Sequence, residues 1–200
     1  MIRRMHREPP FQYNAYLLKR QVFALTGKFC IYDPAGNLVL FSEQKMFRLR
    51  EDIRVYSDES NSQEVLTIKA RQIIDFSAAY DVIDSASGQK AGALRRKGVK
   101  SILRDEWEVL DVNDAVVGLL FEDSMSLVLL SRFLLGSLLP QNYDMRLGAE
   151  RVADLKQRFN VFANQLDLDF SMDTAHRLDR RLGIAAGILL AAIEGKQSTE

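Results

Sequence analysis

The chain has 200 residues, 47% of them hydrophobic, which suits one domain of ordinary size with a substantial core. Its 27 Lys and Arg balance 27 Asp and Glu, so no global field draws in nucleic acid or an anionic surface, and any such binding has to come from a local patch. The single cysteine, Cys30, excludes an internal disulfide and fits a reducing compartment, which gives the expectation of a cytoplasmic protein.

Residues 1–10 are basic and end in Pro9-Pro10. With no apolar stretch behind them they read as a short flexible arm rather than a secretory signal, and residues 11–200 read as a single domain. From Tyr16 to Phe121 short segments alternate with period two. In Glu64–Arg71, Leu66, Ile68 and Ala70 share one face while Thr67, Lys69 and Arg71 take the other; Gln165–Phe170 alternates still more cleanly. The punctuation between segments is turn chemistry led by aspartate: Asp33-Pro-Ala-Gly-Asn37, Asp84-Ser-Ala-Ser-Gly88 and Asp111-Val-Asn-Asp114. The pattern is an antiparallel meander of about a dozen strands, a number more easily housed in a closed barrel than in an open sheet.

Ser124–Leu139 breaks the alternation. Its apolar residues, densest over 127–139, suggest a short helix or a covered loop at one barrel end, stopped by Pro140. The last element, expected over 173–194 with Ser171 or Asp173 at its cap, contains the stretch Leu182–Ile193, which has no polar side chain. A helix that is apolar all round must be surrounded on every side. At 1.5 Å per residue this stretch spans about 18 Å, short of the roughly 30 Å hydrocarbon core, so protein is the expected surround and no transmembrane insertion is expected. The fold class is therefore mostly β: a closed antiparallel barrel of about twelve strands around a buried C-terminal apolar helix.

Several segments carry a family resemblance. They are Phe29–Asp33 with Gly36, Gln44–Tyr56, Tyr80–Asp84, Arg95–Gly98, Asp105-Glu-Trp107 and the closing Leu178-Asp-Arg-Arg181. As an ordered set they resemble the LURP-one-related family, over about Tyr16 to Glu194. That family is similar to the tubby C-terminal-like proteins and the phospholipid scramblases. The resemblance implies a twelve-stranded barrel around a buried helix and, from relatives that bind phosphoinositides or are linked to lipid movement, a lipid-facing role. The Pro-rich N-terminal region and cysteine cluster of scramblases are missing.

The densest run of cations is Arg95, Arg96 and Lys97, followed by Lys100 and Arg104. On a strand Arg95 and Lys97 face one way and Arg96 the other, and a turn at Gly98 would bring Lys100 and Arg104 alongside. Such a group is suited to a phosphorylated headgroup through charge-assisted hydrogen bonds; the alternative is a solvated barrel exterior. Asp111–Glu122 has oxygen ligands at the first, third and twelfth positions of a calcium loop, but Val116 stands at the sixth and Ala115 at the fifth, so a hairpin turn is the better account. Asp167 and Asp169 share a strand face without defining a metal site. His6 lies in the arm, and His176 reads as a helix-end residue rather than a general base. Trp107 reads as a core anchor. No metal, no cofactor and no catalytic residue are expected.

The first reading is a non-enzymatic binding module for phospholipid or phosphoinositide headgroups, peripheral at a membrane. In it the basic strand holds phosphate and segment 127–139 touches the membrane edge. The alternative is a regulatory or scaffold protein that binds a protein partner through 127–139. A third is an enzyme whose site the sequence does not advertise. The first two differ in salt dependence, since headgroup binding weakens with ionic strength and apolar docking does not.

Overall fold

The computed structural model describes residues 9–21, 26–45, 52–71, 78–97, 106–122, 141–158 and 163–197. Within them the expected Asp-led turns are built by one device. The side chain of the leading aspartate accepts amide hydrogens from further round the turn: Asn37 N on Asp33 Oδ1 at 2.8 Å, Ser87 N on Asp84 Oδ1 at 2.8 Å, and Asn113 N and Ala115 N on Asp111 Oδ1 at 2.8 and 2.9 Å. Each turn therefore satisfies its own amides without help from the sheet, and the strands on either side are drawn into register.

The strands are β1 (Ala15–Gln21), β2 (Thr26–Tyr32), β3 (Leu38–Lys45), β4 (Ile53–Tyr56), β5 (Glu64–Ala70), β6 (Ala79–Asp84), β7 (Lys90–Arg96), β8 (Glu106–Leu110), β9 (Val116–Glu122), β10 (Asn142–Leu147), β11 (Glu150–Arg158) and β12 (Ala163–Asp169), followed by the helix α1 (Arg180–Gln197). Every strand pairs antiparallel with its neighbour in sequence, and β1 closes the ring on β12, with Ala15 opposite Asp169 and Gln21 opposite Ala163. Closure leaves no strand edge open. The alternation seen in the sequence is the inside–outside alternation of the wall: Tyr16 and Leu18, Leu66 and Ile68, Leu166 and Leu168 all belong to the buried core. Trp107 is buried there too, 1% exposed, with its ring 6.1 Å from that of Tyr80.

Residues 182–192 of α1 are all buried. The helix packs against β1 and β12 and also against β6 and β7. In the ring those two pairs stand opposite each other, with four strands between them on either side. The helix thus contacts opposite arcs of the ring, and no residue from 182 to 192 is exposed. Small residues permit the approach. A Cβ on Gly183 would lie 2.4 and 2.6 Å from the Phe170 ring, and one on Gly187 would lie 2.9 Å from the end of the Leu168 side chain.

The helix begins at Arg180, later than the expected 173, and ends at Gln197 rather than 194. The reason lies in Asp173. Its carboxylate accepts the amides of Arg177 (2.9 Å) and Leu178 (3.0 Å) and pairs with the Arg180 guanidinium at 2.7 Å, which closes a loop of its own. His176, at φ 50°, takes a left-handed conformation that a helix does not allow. Asp179 is the actual cap, its Oδ1 accepting Arg181 N at 3.0 Å. The Asp173–Arg180 pair is buried on both sides, and Arg180 also stacks 4.9 Å from the Phe170 ring centroid and reaches Asn14 Oδ1 at 3.3 Å. Burial pushes the Asp173 carboxyl up, but hydrogen bonds from Arg180 and from the Arg177 and Leu178 amides outweigh it and hold the pKa below the ordinary value.

Two outcomes follow for stability. Gly183→Ala should cost about 1–3 kcal/mol, because a rigid ring blocks the new methyl group, whereas Gly187→Ala should be close to neutral, since a leucine end can give way and alanine gains about 1 kcal/mol of helix propensity; urea melts of the two variants read the contrast. Asp173→Asn strands a buried guanidinium and should cost about 3–5 kcal/mol. Because the folded pKa of Asp173 is depressed, its contribution is complete above the unfolded value near pH 4 and disappears as pH falls through the folded value. Wild type should therefore lose stability in that acid window more steeply than Asp173→Asn in melts from pH 7 to pH 2.

Candidate functional site

The cations singled out in the sequence sit at the end of β7. Leu94 points into the core, and Arg95 lies on the opposite side of the strand. In the antiparallel register Arg95 stands opposite Glu108 and Arg96 opposite Trp107. The side chains meet accordingly: Arg95 Nη2 is 2.5 Å from Glu108 Oε2, and Lys97 Nζ is 2.5 Å from Glu106 Oε1 and 4.0 Å from Glu108 Oε1. The hydrogen bond that Lys97 donates to Glu106 raises its pKa. Two cations and two carboxylates thus cancel across the β7–β8 pair. Arg96 neighbours the Tyr80 phenol electrostatically. Lys100 and Arg104, and the apolar segment 127–139, lie outside the described residues, as does His6.

The sequence reading missed Glu106 and Glu108. Their signal was present, because Glu106 and Glu108 alternate around the inward Trp107 and so share one face, but which strand they oppose depends on pairing with β7.

The calcium-like segment is a hairpin. Asp111 Oδ1 is taken by two backbone amides, and Asp114, at φ 65°, accepts Arg71 Nη2 at 2.5 Å and Lys90 Nζ at 2.6 Å. Hydrogen bonds from Arg71 and Lys90 hold the Asp114 pKa down at about 2. Asp167 is bound by Arg158 at 2.6 Å, while Asp169 accepts the amide of Ser171 at 2.8 Å, so the two are engaged separately. Facing carboxylates do occur across β10 and β11, where Asp144 stands opposite Asp154, but Arg151 bridges them at 2.6 and 3.1 Å and Lys156 holds Asp154 at 2.6 Å. Among the described residues no group of three His, Cys, Asp or Glu is arranged to hold a metal ion.

His176 does not lie in the helix; its Nδ1 is 3.4 Å from Arg180 Nη2 in the loop before it. The Cys30 thiol is buried, and burial pushes its pKa up. No helix among the described residues is long and apolar enough to cross a membrane.

The fold and its surface thus define a closed twelve-stranded antiparallel barrel whose last element is a buried apolar helix and whose basic strand is matched by an acidic neighbour. The family model described as LURP-one-related matches residues 38–191, more than three quarters of the chain, and the protein belongs to that family. No curated protein and no solved structure matches it.

The geometry of the β8–β9 hairpin carries its own prediction. With Asp111 and Asp114 already holding protein donors, millimolar calcium should leave the melting temperature unchanged in wild type and in Asp111→Ala alike. A rise in wild type that is lost in the variant would contradict it.

Proposed function

We propose that the chain is a non-enzymatic binding module that meets an anionic phospholipid surface with one end of its barrel. The observation that carries this reading is the division of the connections between the two ends. At one end lie the tight turns after β2, β4, β6, β8 and β10, whose sequences, Val112 apart, have no large apolar side chain: Asp33–Asn37, Ser57–Gln63, Ser85–Gln89, Asp111–Ala115 and Gly148-Ala149. The connections that leave the opposite end fall outside the described residues. In sequence they read Val22-Phe-Ala-Leu25, Met46-Phe-Arg-Leu-Arg-Glu51, Gln72-Ile-Ile-Asp-Phe-Ser77, Gly98–Asp105, Asp123–Pro140 and Phe159-Asn-Val-Phe162.

Surface connections are ordinarily polar. A set rich in large apolar side chains, in which Arg48, Arg50, Lys100, Arg104 and Arg132 stand beside Glu51, Asp75, Asp105 and Asp123, has the composition of an interfacial surface, in which apolar groups enter the headgroup region and cations meet phosphate. The basic run and the apolar run belong to neighbouring hairpins: β7 pairs with β8, β8 with β9 and β9 with β10, and the chain leaves β7 for 98–105 and β9 for 123–140. Arg95, Arg96, Lys97, Lys100 and Arg104 are the headgroup residues of this reading. The Glu106 and Glu108 partners temper it, since they must give up Arg95 and Lys97, and exposed ion pairs of that kind are worth at most about 1 kcal/mol. Support for a non-enzymatic role comes from the two groups most apt for covalent or acid–base work: Cys30 is buried with a raised pKa, and His176 rests against Arg180.

The test is co-sedimentation with phosphatidylcholine vesicles containing phosphatidylserine or phosphoinositide, at low and at physiological salt. Wild type should bind and weaken with salt. At about 1 kcal/mol per cation, neutralising Arg95, Lys97 and Lys100 to glutamine together should weaken binding about a hundredfold, and Glu106→Gln with Glu108→Gln should strengthen it. Wild type that ignores anionic vesicles at low salt overturns the lipid reading in favour of a protein partner; a triple variant that binds as well as wild type moves the site off the basic strand.

A further inference from the structure

At the barrel end that carries the tight turns, residues of β8, β9 and β10 come together with the loop that leads into α1. Between them is a half-open cavity of about 300 Å³, at the small end of the range for ligand clefts. Its walls are Val109 and Leu110 of β8, Val117 of β9, Leu147 of β10, and Leu178 and Leu182 around the start of α1. The β8–β9 hairpin extends this apolar surface outward, because Val112, Val116 and Val117 are the large hydrophobic side chains left exposed among the described residues, at 54%, 51% and 40%. A hairpin that displays three valines beside this cavity is not explained by its turn, whose own chemistry is satisfied by Asp111 and Asp114.

Three charged residues reach the cavity: Arg177, Asp111 and Asp179. The two carboxylates are already occupied, Asp111 by the amides of Asn113 and Ala115, and Asp179 by the Arg181 guanidinium at 2.6 Å and the Arg181 amide at 3.0 Å. Arg177 differs. Its guanidinium is held by the carboxylate of Glu150 alone among the described residues, and both side chains are exposed, at 45% and 67%. Such a pair is weak and exchangeable. A ligand carboxylate would replace that of Glu150 like for like, while the released glutamate returns to water.

We propose that this cavity binds the carboxylate of a medium-chain acyl compound, with the head on Arg177 and the tail between Val109, Val117, Leu147 and Leu182. The site is independent of the membrane-facing end, which is at the other mouth of the barrel. The probes are octanoate, octan-1-ol and octylammonium, titrated calorimetrically below their aggregation limits into the full chain. Octanoate should bind saturably at one site and more tightly than either of the others. Arg177→Gln should weaken octanoate about tenfold, as expected for a hydrogen bond to a charged group, and leave octan-1-ol unchanged. Val117→Phe, which fills the cavity from its exposed side, should remove binding of both. The proposal is overturned if octanoate shows no saturable binding, if octylammonium binds more tightly, if Arg177→Gln leaves octanoate unaffected, or if Val117→Phe binds as wild type does.

Discussion

The side chains from Leu182 to Ala192 bring no hydrogen-bonding group, and all are buried. Eleven such residues in succession impose a condition that a layered sheet cannot meet, because a layer covers one face of a helix and leaves the other wet. A closed ring meets it. The helix touches β1 and β12 on one arc and β6 and β7 on the facing arc, and the barrel in turn gains the atoms that its inward side chains need as packing partners. Glycine and alanine on α1 and large side chains on the wall are complementary choices: Phe170 occupies the space that Gly183 leaves, and Leu168 and Leu166 that of Gly187.

Polar side chains gather where the chain leads into α1. Asp173, Arg180, Asn14 and Asp179 gather around the first turn of α1, and Arg181 reaches across to Asp84 at 3.0 Å. The buried pair closes the entry loop onto the helix start, and the half-exposed pair ties that start to β6, which is distant in sequence. The apolar run fixes that the helix is covered; the charged loop fixes which way it enters.

Much of this was legible in the sequence because it is local. Period-two alternation in Glu64–Arg71 and Gln165–Phe170, aspartate at the head of the turns at Asp33, Asp84 and Asp111, and an apolar run too short for a bilayer are all read within a few residues of one another. The start of α1 was misread because Ser171, Asp173 and Asp179 are each chemically able to cap a helix, and only the pairing of Asp173 with Arg180 decides among them. The acidic complement of the basic strand was missed for a related reason: Arg95 and Glu108 are brought together by cross-strand register. The cavity beside Arg177 was not visible at all, because its wall is assembled from five separate stretches of chain.

The chain order within the ring also bears on how the molecule comes into being. β1 precedes every other strand of the ring and must wait for β12, its partner from Ala15↔Asp169 to Gln21↔Ala163, and the helix that packs on opposite arcs of the wall follows all twelve strands. Until then the growing meander has hairpins to form but an inner surface of Leu18, Leu40, Ile68, Val82 and Leu94 with nothing to pack on. On a ribosome that adds about 5–20 residues per second, the interval between the first strand and the last helix is on the order of ten seconds. Ring closure is the most non-local pairing in the fold, so it is a slow step, and until it occurs the unfinished sheet exposes an apolar face.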